Sequence, residues 1–278
     1  MNGEEINNSQ NSKKGSLSFA DRYITAMFLP GEYESLLKLA VGKIITYIAF
    51  LVLLISLIQY GIPVMAAVAG YGGVRNYILK ELPSFSLENG KFTVSEKLEK
   101  EEEDAGIYIL VDTDKETFSK EDISSDMISA ILISKNNIVT YNNLSGIGGF
   151  VQEQKFSEIS NVTINNETVA DMAPVIYFGL VMMYLLMYVI TLIRYMFSAL
   201  FYALILYIMS RIMAAKVSFA IIFKIALFAQ TIGSIVSAVA YFIGTPVFVM
   251  AGSTFAMIVT VLIMNRAYFK IAPPPKPH

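Results

Sequence analysis

Apolar and polar positions divide the chain into blocks. Residues 44–69 hold no charged residue over 26 positions. About 20 apolar residues span a bilayer core, so the block predicts a transmembrane helix. The polar leader of 43 residues before it is too long for a cleaved signal peptide. Gly61 and Pro63 predict a kink near the far end of this helix. Residues 174–215 are apolar apart from Arg194 and Arg211, and Ala214-Ala215-Lys216 closes them with a polar break. Residues 218–243 and 247–264 are two further spans, joined by a tight turn at Gly244-Thr245-Pro246. Residues 265–278 end in a Pro-rich tail that reads as extended.

The polar blocks have their own patterns. Residues 1–18, rich in Asn, Ser, Lys and Glu without apolar periodicity, read as a disordered tail. Residues 19–43 form an amphipathic lead-in that Pro30-Gly31 breaks in two, suited to lying along the inner membrane face. Residues 70–173 alternate polar and apolar positions and predict a β-rich α+β domain inserted between membrane segments. Asn89-Gly90 predicts a type I′ hairpin between Leu87 and Val94. Ile107–Val111 predicts a buried strand ending at Asp112-Thr113-Asp114, Ile131–Tyr141 a second hairpin about Asn136-Asn137, and Phe150–Phe156 a further strand. Phe118–Met127 is the segment expected to be helical, Glu99–Asp104 a solvated turn or helix end, and Gly146–Gly149 a flexible loop.

The block 174–215 has two readings. As one helix its 42 residues would extend about 63 Å, at ~1.5 Å per residue. As two spans it would turn at Arg194, yet no Gly, Pro, Asn or Asp lies between Leu180 and Lys216. Positive charge favours the cytoplasmic side. With the amino terminus inside, four crossings place Arg211, Lys216, Arg266, Lys270 and Lys276 there, and five would place them outside. Four crossings are therefore the preferred reading and five the alternative. Both termini are then cytoplasmic and the inserted domain extracytoplasmic, with Arg194 near the outer interface or facing a partner inside the bundle.

Charge sharpens the division. Residues 70–173 hold nine basic and eighteen acidic residues, while no Asp or Glu follows Asp171. Hydrophobic residues make up 55% of the 278 and charged ones 16%, against roughly 25% charged in soluble chains. Cys is absent, and the one His is the last residue, His278. Thiolate and imidazole chemistry, zinc sites built on them and Ser-His triads therefore have no residues to use.

Few constellations remain. Asp112, Asp114 and Glu116 offer carboxylate oxygens for a divalent cation. The sixth and twelfth positions of that run are Thr117 and Ile123, which excludes an EF-hand loop. The acidic run Glu99–Asp104 with Asp112 and Asp114 does not supply two carboxylates at a fixed separation across a cleft. Gly146–Gly149 lacks the Lys and Ser/Thr of a phosphate loop. Gly233-x-x-x-Ser237 and Gly252-x-x-x-Ala256 are small-residue pairs that let helices approach closely, preferentially within this chain. Arg194, Lys224 and Gln230 are the intramembrane polar residues that ask for an explanation. No acid lies near them in sequence, so snorkelling to the interface is the first reading for Arg194 and Lys224 and an anionic lipid headgroup the second.

Several phrases, in order, resemble the bacterial domain-of-unknown-function family numbered 1189. They are Phe28-Leu29-Pro30, Tyr33, Leu37, Gly42-Lys43 and Tyr47; Leu82-Pro83-Ser84-Phe85 with Glu88-Asn89-Gly90-Lys91; Tyr108–Thr113; and Phe219 with Phe223–Leu227. The resemblance covers roughly residues 19–270. Members of that family usually carry a Pro where this chain has Gln230-Thr231-Ile232, which removes the sequence reason for a bend there. The family has no established activity. Some members are labelled maltodextrin-utilisation proteins, which implies a link to sugar uptake. The helices are similar, more loosely, to the Yip1-type membrane fold.

The expected protein is thus an α-helical integral membrane bundle of four, alternatively five, transmembrane helices in a bacterial cell membrane. No catalytic, cofactor or metal residue is assigned. The leading function is a non-catalytic accessory, sensor or scaffold that binds a partner or ligand through its outer domain. The alternative is a small transporter or lipid-interacting protein that acts through the helix bundle. The implied surroundings are the lipid bilayer and a membrane-protein partner such as a transporter. Nucleic acid is not expected, and a homo-oligomer is compatible with the sequence.

Overall fold

The structure, a computed structural model, describes residues 17–102, 106–123, 128–144, 148–159, 162–213 and 217–273. In chain order its helices are α1 (Phe19–Phe28), α2 (Tyr33–Leu37), α3 (Val41–Ser56), α4 (Ile62–Gly70), α5 (Val74–Lys80), α6 (Asn166–Asp171), α7 (Ala173–Ile212), α8 (Phe219–Ala229), α9 (Thr231–Ile243) and α10 (Pro246–Ile271). The strands are β1 (Phe85–Glu88), β2 (Lys91–Val94), β3 (Leu98–Glu102), β4 (Ile107–Val111), β5 (Ser129–Ile133), β6 (Asn137–Leu144), β7 (Gly148–Lys155) and β8 (Ile164–Asn165), all between α5 and α6. The chain divides into a helical unit, Met1–Met65 with Val181–His278, and a second unit, Ala66–Leu180. Among the described residues four helical stretches are long and apolar enough to cross a membrane: Val41–Gly70, Ala173–Ile212, Phe219–Ile243 and Pro246–Ile271.

In the helical unit, α1 starts with a capping box: Asp21 N–H donates to the Ser18 hydroxyl and Ser18 N–H to the Asp21 carboxylate. Pro30-Gly31 does break the lead-in, through a 3₁₀ turn at Pro30–Glu32. Both halves pack on the spans. The Tyr23 ring stacks on Tyr47 at 4.4 Å, and the buried Tyr33 hydroxyl donates to the Ala26 carbonyl at 2.6 Å. The expected kink between α3 and α4 is a π-helical turn over Leu57–Gly61. There Ile62 N–H reaches back five residues to the Leu57 carbonyl. Pro63 has no N–H to keep the α-ladder running, and a π-bulge absorbs the misfit.

Residues 173–212 are one unbroken helix of 40 residues, with no turn at Arg194. The span expected as 218–243 is interrupted at Gln230, where α8 ends and α9 begins. A bend thus forms without Pro, and the Thr231 hydroxyl donates to the Phe228 carbonyl at the junction. The turn between α9 and α10 has Gly244 in the left-handed region (φ 80), and Thr245 caps Pro246 and the rest of α10. α10 runs on to Ile271, beyond the expected end at 264. Gly233 and Gly252 join α9 to α10: a Cβ at Gly233 would lie 2.7 Å from the Ala256 carbonyl oxygen, and one at Gly252 would collide with the Ala240 Cβ. The small-residue pairs therefore serve packing within the chain.

The second unit contains two sheets. One has strand order β2-β1-β8, the other β3-β4-β5-β6-β7. The β1–β2 hairpin turns on Asn89 and Gly90 at φ 53 and 75, the type I′ signs that the Asn-Gly pair predicts. β5 and β6 form the second expected hairpin, with Ile133 opposite Ile138. β4 and β5 run parallel, so the connection between them is a crossover.

Four expectations change. Glu99–Glu102 lies in strand β3 instead of a solvated turn. It pairs antiparallel with β4 and forms one edge of the larger sheet, where charged side chains stay in water and deter further pairing. The expected helix from Phe118 is only a 3₁₀ turn at Lys120–Asp122, and residues 124–127 lie outside the described residues. Ile107–Val111 is mostly half-buried, with Val111 alone fully so. Of the expected loop at Gly146–Gly149, Gly148 and Gly149 begin β7, and 146–147 lie outside the described residues.

The core of the larger sheet is Phe118, Leu132 and Val139. Beside it, α5 and α6 pack through Val74, Ile78, Ala170 and Ala173, with an Arg75–Asp171 ion pair at the surface. A fragment of residues 78–172 is expected to be soluble and to give a β-rich circular dichroism spectrum. A random-coil spectrum would show that the sheets need the helices to fold.

Candidate functional site

Four apolar spans leave few places for chemistry, so polar side chains inside the helical unit define the candidate site. α7 turns one face toward the other helices. Thr191, Tyr195, Ser198 and Tyr202 recur at intervals of three or four residues, which with Arg194 puts them toward one side of a helix. Opposite stand Ile55 of α3 and Gln59 of the π turn, then Gln230, Gly233, Ser234 and Ser237, and on α10 Ser253, Ala256, Met257 and Thr260. These residues line an open cavity of about 240 Å³.

The cavity exists because of how the spans meet. The Tyr195 hydroxyl donates to the Leu227 carbonyl at 2.5 Å, and the Gln230 amide donates to the Tyr195 carbonyl at 3.0 Å. This reciprocal clamp joins α7 to the α8–α9 junction, where Leu227 and Gln230 bracket the bend. A polar clamp is favourable in an apolar interior, where an unpaired amide or hydroxyl is costly. On the other side, the Tyr47 hydroxyl and Thr231 share a hydrogen bond at 2.7 Å, and Tyr188 donates to the Ala49 carbonyl at 3.3 Å. Large tyrosines hold α7 at a distance while Gly233 and Gly252 draw α9 and α10 together, which leaves the space.

Of the three intramembrane polar residues singled out from the sequence, two meet here. Gln230 is 3% exposed and lines the cavity beside Arg194. Arg194 makes no hydrogen bond or ion pair among the described residues, and no acidic side chain lines the cavity. It precedes the carbonyl that receives Gln230, which lies 11 residues into the Phe219–Ile243 span. Arg194 is therefore level with the middle of that span. The Arg194 residue is exposed and borders the cavity. Lys224 stands apart: its ammonium donates to the Leu37 carbonyl at 3.2 Å and ties α8 to α2. The sequence reading missed Gln59, Ser198, Ser234, Ser237, Ser253 and Thr260. Their signal was the helical spacing of small polar residues on each span.

In the second unit the carboxylates do not gather. The Asp112 carboxylate accepts from Asp114 N–H at 3.0 Å and closes a turn. Glu116 pairs with Lys135 and Asn136, whose hydrogen bonds hold its carboxyl below the usual carboxylate range. Glu99 binds Lys97 at 3.0 Å and accepts from the Tyr108 hydroxyl. Among the described residues no three His, Cys, Asp or Glu side chains are grouped to hold a metal. Asn166 is occupied structurally: its side-chain nitrogen donates to the Ile78 and Pro83 carbonyls and its side-chain oxygen accepts from Phe85 N–H.

A family model described as "Protein of unknown function (DUF1189)" matches residues 21–267. No curated protein and no solved structure gives a significant match.

Proposed function

This chain belongs to the DUF1189 family, and from that footing we propose that it is a non-catalytic integral membrane protein whose helix bundle binds a ligand. The observation that carries this reading is the open polar cavity at Arg194 and Gln230, lined by residues of all four candidate spans. An unpaired cation among apolar helices is costly and marks a functional position by default. A binding role fits a chain without Cys and with its one His at residue 278. The cavity favours action through the bundle over binding by the sheet domain. The sheet domain would then serve as an extracytoplasmic docking point for a membrane-protein partner.

Orientation follows from charge. Lys38 precedes the first span, Lys43 lies in its first turn, and Arg266 and Lys270 close the last, so both termini are cytoplasmic and the sheet domain lies outside. The Cys-free chain makes this direct to test. In intact cells a membrane-impermeant maleimide should label Thr93→Cys and leave Pro273→Cys unlabelled until the cells are opened. Labelling of Pro273→Cys in intact cells would overturn the orientation.

The binding role is tested by filling the cavity. Wild-type protein and Ser237→Phe would be purified from native membranes under mild conditions and their bound molecules identified. At least one molecule should accompany the wild type and be lost from the filled variant. Identical sets on both would remove the bundle-binding reading.

A further inference from the structure

The cavity has one charge and many small donors, and that combination points to a ligand class. The residues that line the cavity with Arg194 carry no carboxylate to pair with its guanidinium. Charge balance beside apolar helices therefore calls for an anion from outside the chain. The donors narrow the choice. Hydroxyls of Ser198, Ser234, Ser237 and Ser253 come from three different spans and line the same cavity as Arg194, so donors reach it from several directions. A planar carboxylate would use two of its oxygens on the Arg fork and leave the rest of this shell empty. A tetrahedral oxyanion offers oxygens in all directions and also suits the Arg fork bidentately.

Size and access agree. The cavity of about 240 Å³ has room for several waters, each of roughly 30 Å³, so it takes a phosphate with a short polar appendage. It falls below the roughly 300 Å³ at which sites for drug-sized molecules begin. The Arg194 side is not sealed: Arg194 itself is exposed, and its neighbours Ile193 and Phe197 are 50% and 67% exposed and apolar. α7 presents such apolar side chains along most of its length. A headgroup could enter beside Arg194 with its acyl chains lying along this face.

We propose that the cavity is a phosphate site in which Arg194 and the surrounding serine hydroxyls hold one phosphate group inside the membrane. This rests on the bundle-binding reading and deepens it by naming the ligand's chemistry. A phospholipid headgroup and free inorganic phosphate share that chemistry, and the test separates them.

The full chain would be reconstituted in nanodiscs of phosphatidylcholine alone, or of phosphatidylcholine with phosphatidylglycerol, and retained lipid counted by native mass spectrometry. Wild type should retain one phosphatidylglycerol in preference to phosphatidylcholine. Arg194→Ala should reduce that retention about tenfold, as loss of charge-assisted bonds implies, with Arg194→Lys intermediate. Arg211→Ala, whose guanidinium meets Tyr207 instead of the cavity, should retain it as wild type does. In the phosphatidylcholine discs, millimolar phosphate is the second probe. If phosphate raises the thermal midpoint of wild type but not of Arg194→Ala, and phosphatidylglycerol is not preferred, the site stands with water-borne phosphate as its source. Phosphatidylglycerol retention indifferent to Arg194→Ala, or no preference for it and no phosphate response, overturns the proposal. An uncharged molecule that Ser237→Phe expels would overturn the phosphate assignment and leave the bundle-binding reading standing. If Ser237→Phe expels nothing, both fall.

Discussion

Gly233→Leu should unfold the α9–α10 pair. A Cβ at Gly233 meets the Ala256 carbonyl oxygen at 2.7 Å and the Thr260 hydroxyl at 2.8 Å. The nearest atom belongs to a helix backbone and cannot swing aside as a flexible side-chain tip would. Even Ala forces the helices apart, and Leu adds three more carbons in the same direction. Overpacking of this kind costs roughly 1–3 kcal/mol and occasionally more, and in lipid the close van der Waals contact it destroys is the main source of helix association. The cavity would change too, since Gly233, Ala256 and Thr260 all line it. Gly179→Leu is the control: a Cβ at Gly179 meets nothing within 4 Å. Thermal unfolding in detergent or nanodiscs should show a large fall in midpoint for Gly233→Leu and almost none for Gly179→Leu. Equal midpoints would mean that α9 and α10 do not meet at this glycine.

Asn137→Ala should be the most damaging single change in the sheet unit. Asn137 is 0% exposed. Its carbonyl oxygen accepts from Phe118 N–H at 2.9 Å and from the Ser134 hydroxyl at 2.5 Å, and its amide donates to the Phe118 carbonyl at 2.8 Å and the Glu153 carboxylate at 2.9 Å. One side chain thus pins the crossover at Phe118 to the β5–β6 turn and to β7. Phe118 also fills the small core with Leu132 and Val139. Truncation strands the two backbone groups of Phe118, each at about 1–3 kcal/mol when buried and unpaired, so the total loss is roughly 2–6 kcal/mol. Hydrogen exchange on the full chain should show faster exchange through β5, β6 and residues 115–120, with the membrane helices unchanged. Protection equal to wild type would show that water replaces the asparagine without penalty.

The four apolar spans, the inserted sheet region and the Asn89-Gly90 hairpin can all be read from the linear pattern. Each rests on a local cause: length of uncharged chain against bilayer thickness, alternation against the strand repeat, and positive φ at a two-residue turn. The single helix over 173–212 was also legible, because no turn-forming residue interrupts it. The tertiary structure decided the rest. Glu99–Glu102 has a solvated composition and still becomes a strand, because the exposed edge of β4 offers hydrogen bonds that a charged strand can take without inviting another neighbour. Ser119 and Asp122 form a capping box, yet Phe118 goes into the sheet core and the crossover makes only one turn. Gln230 marks a bend without Pro because its partner, the Tyr195 carbonyl, lies 35 residues away on another helix. Arg194 stood out as one unpaired charge. Its serine-lined surroundings depend on which faces of four helices meet, and helix faces in lipid are matched by shape and small residues instead of by a hydrophobic pattern along the chain.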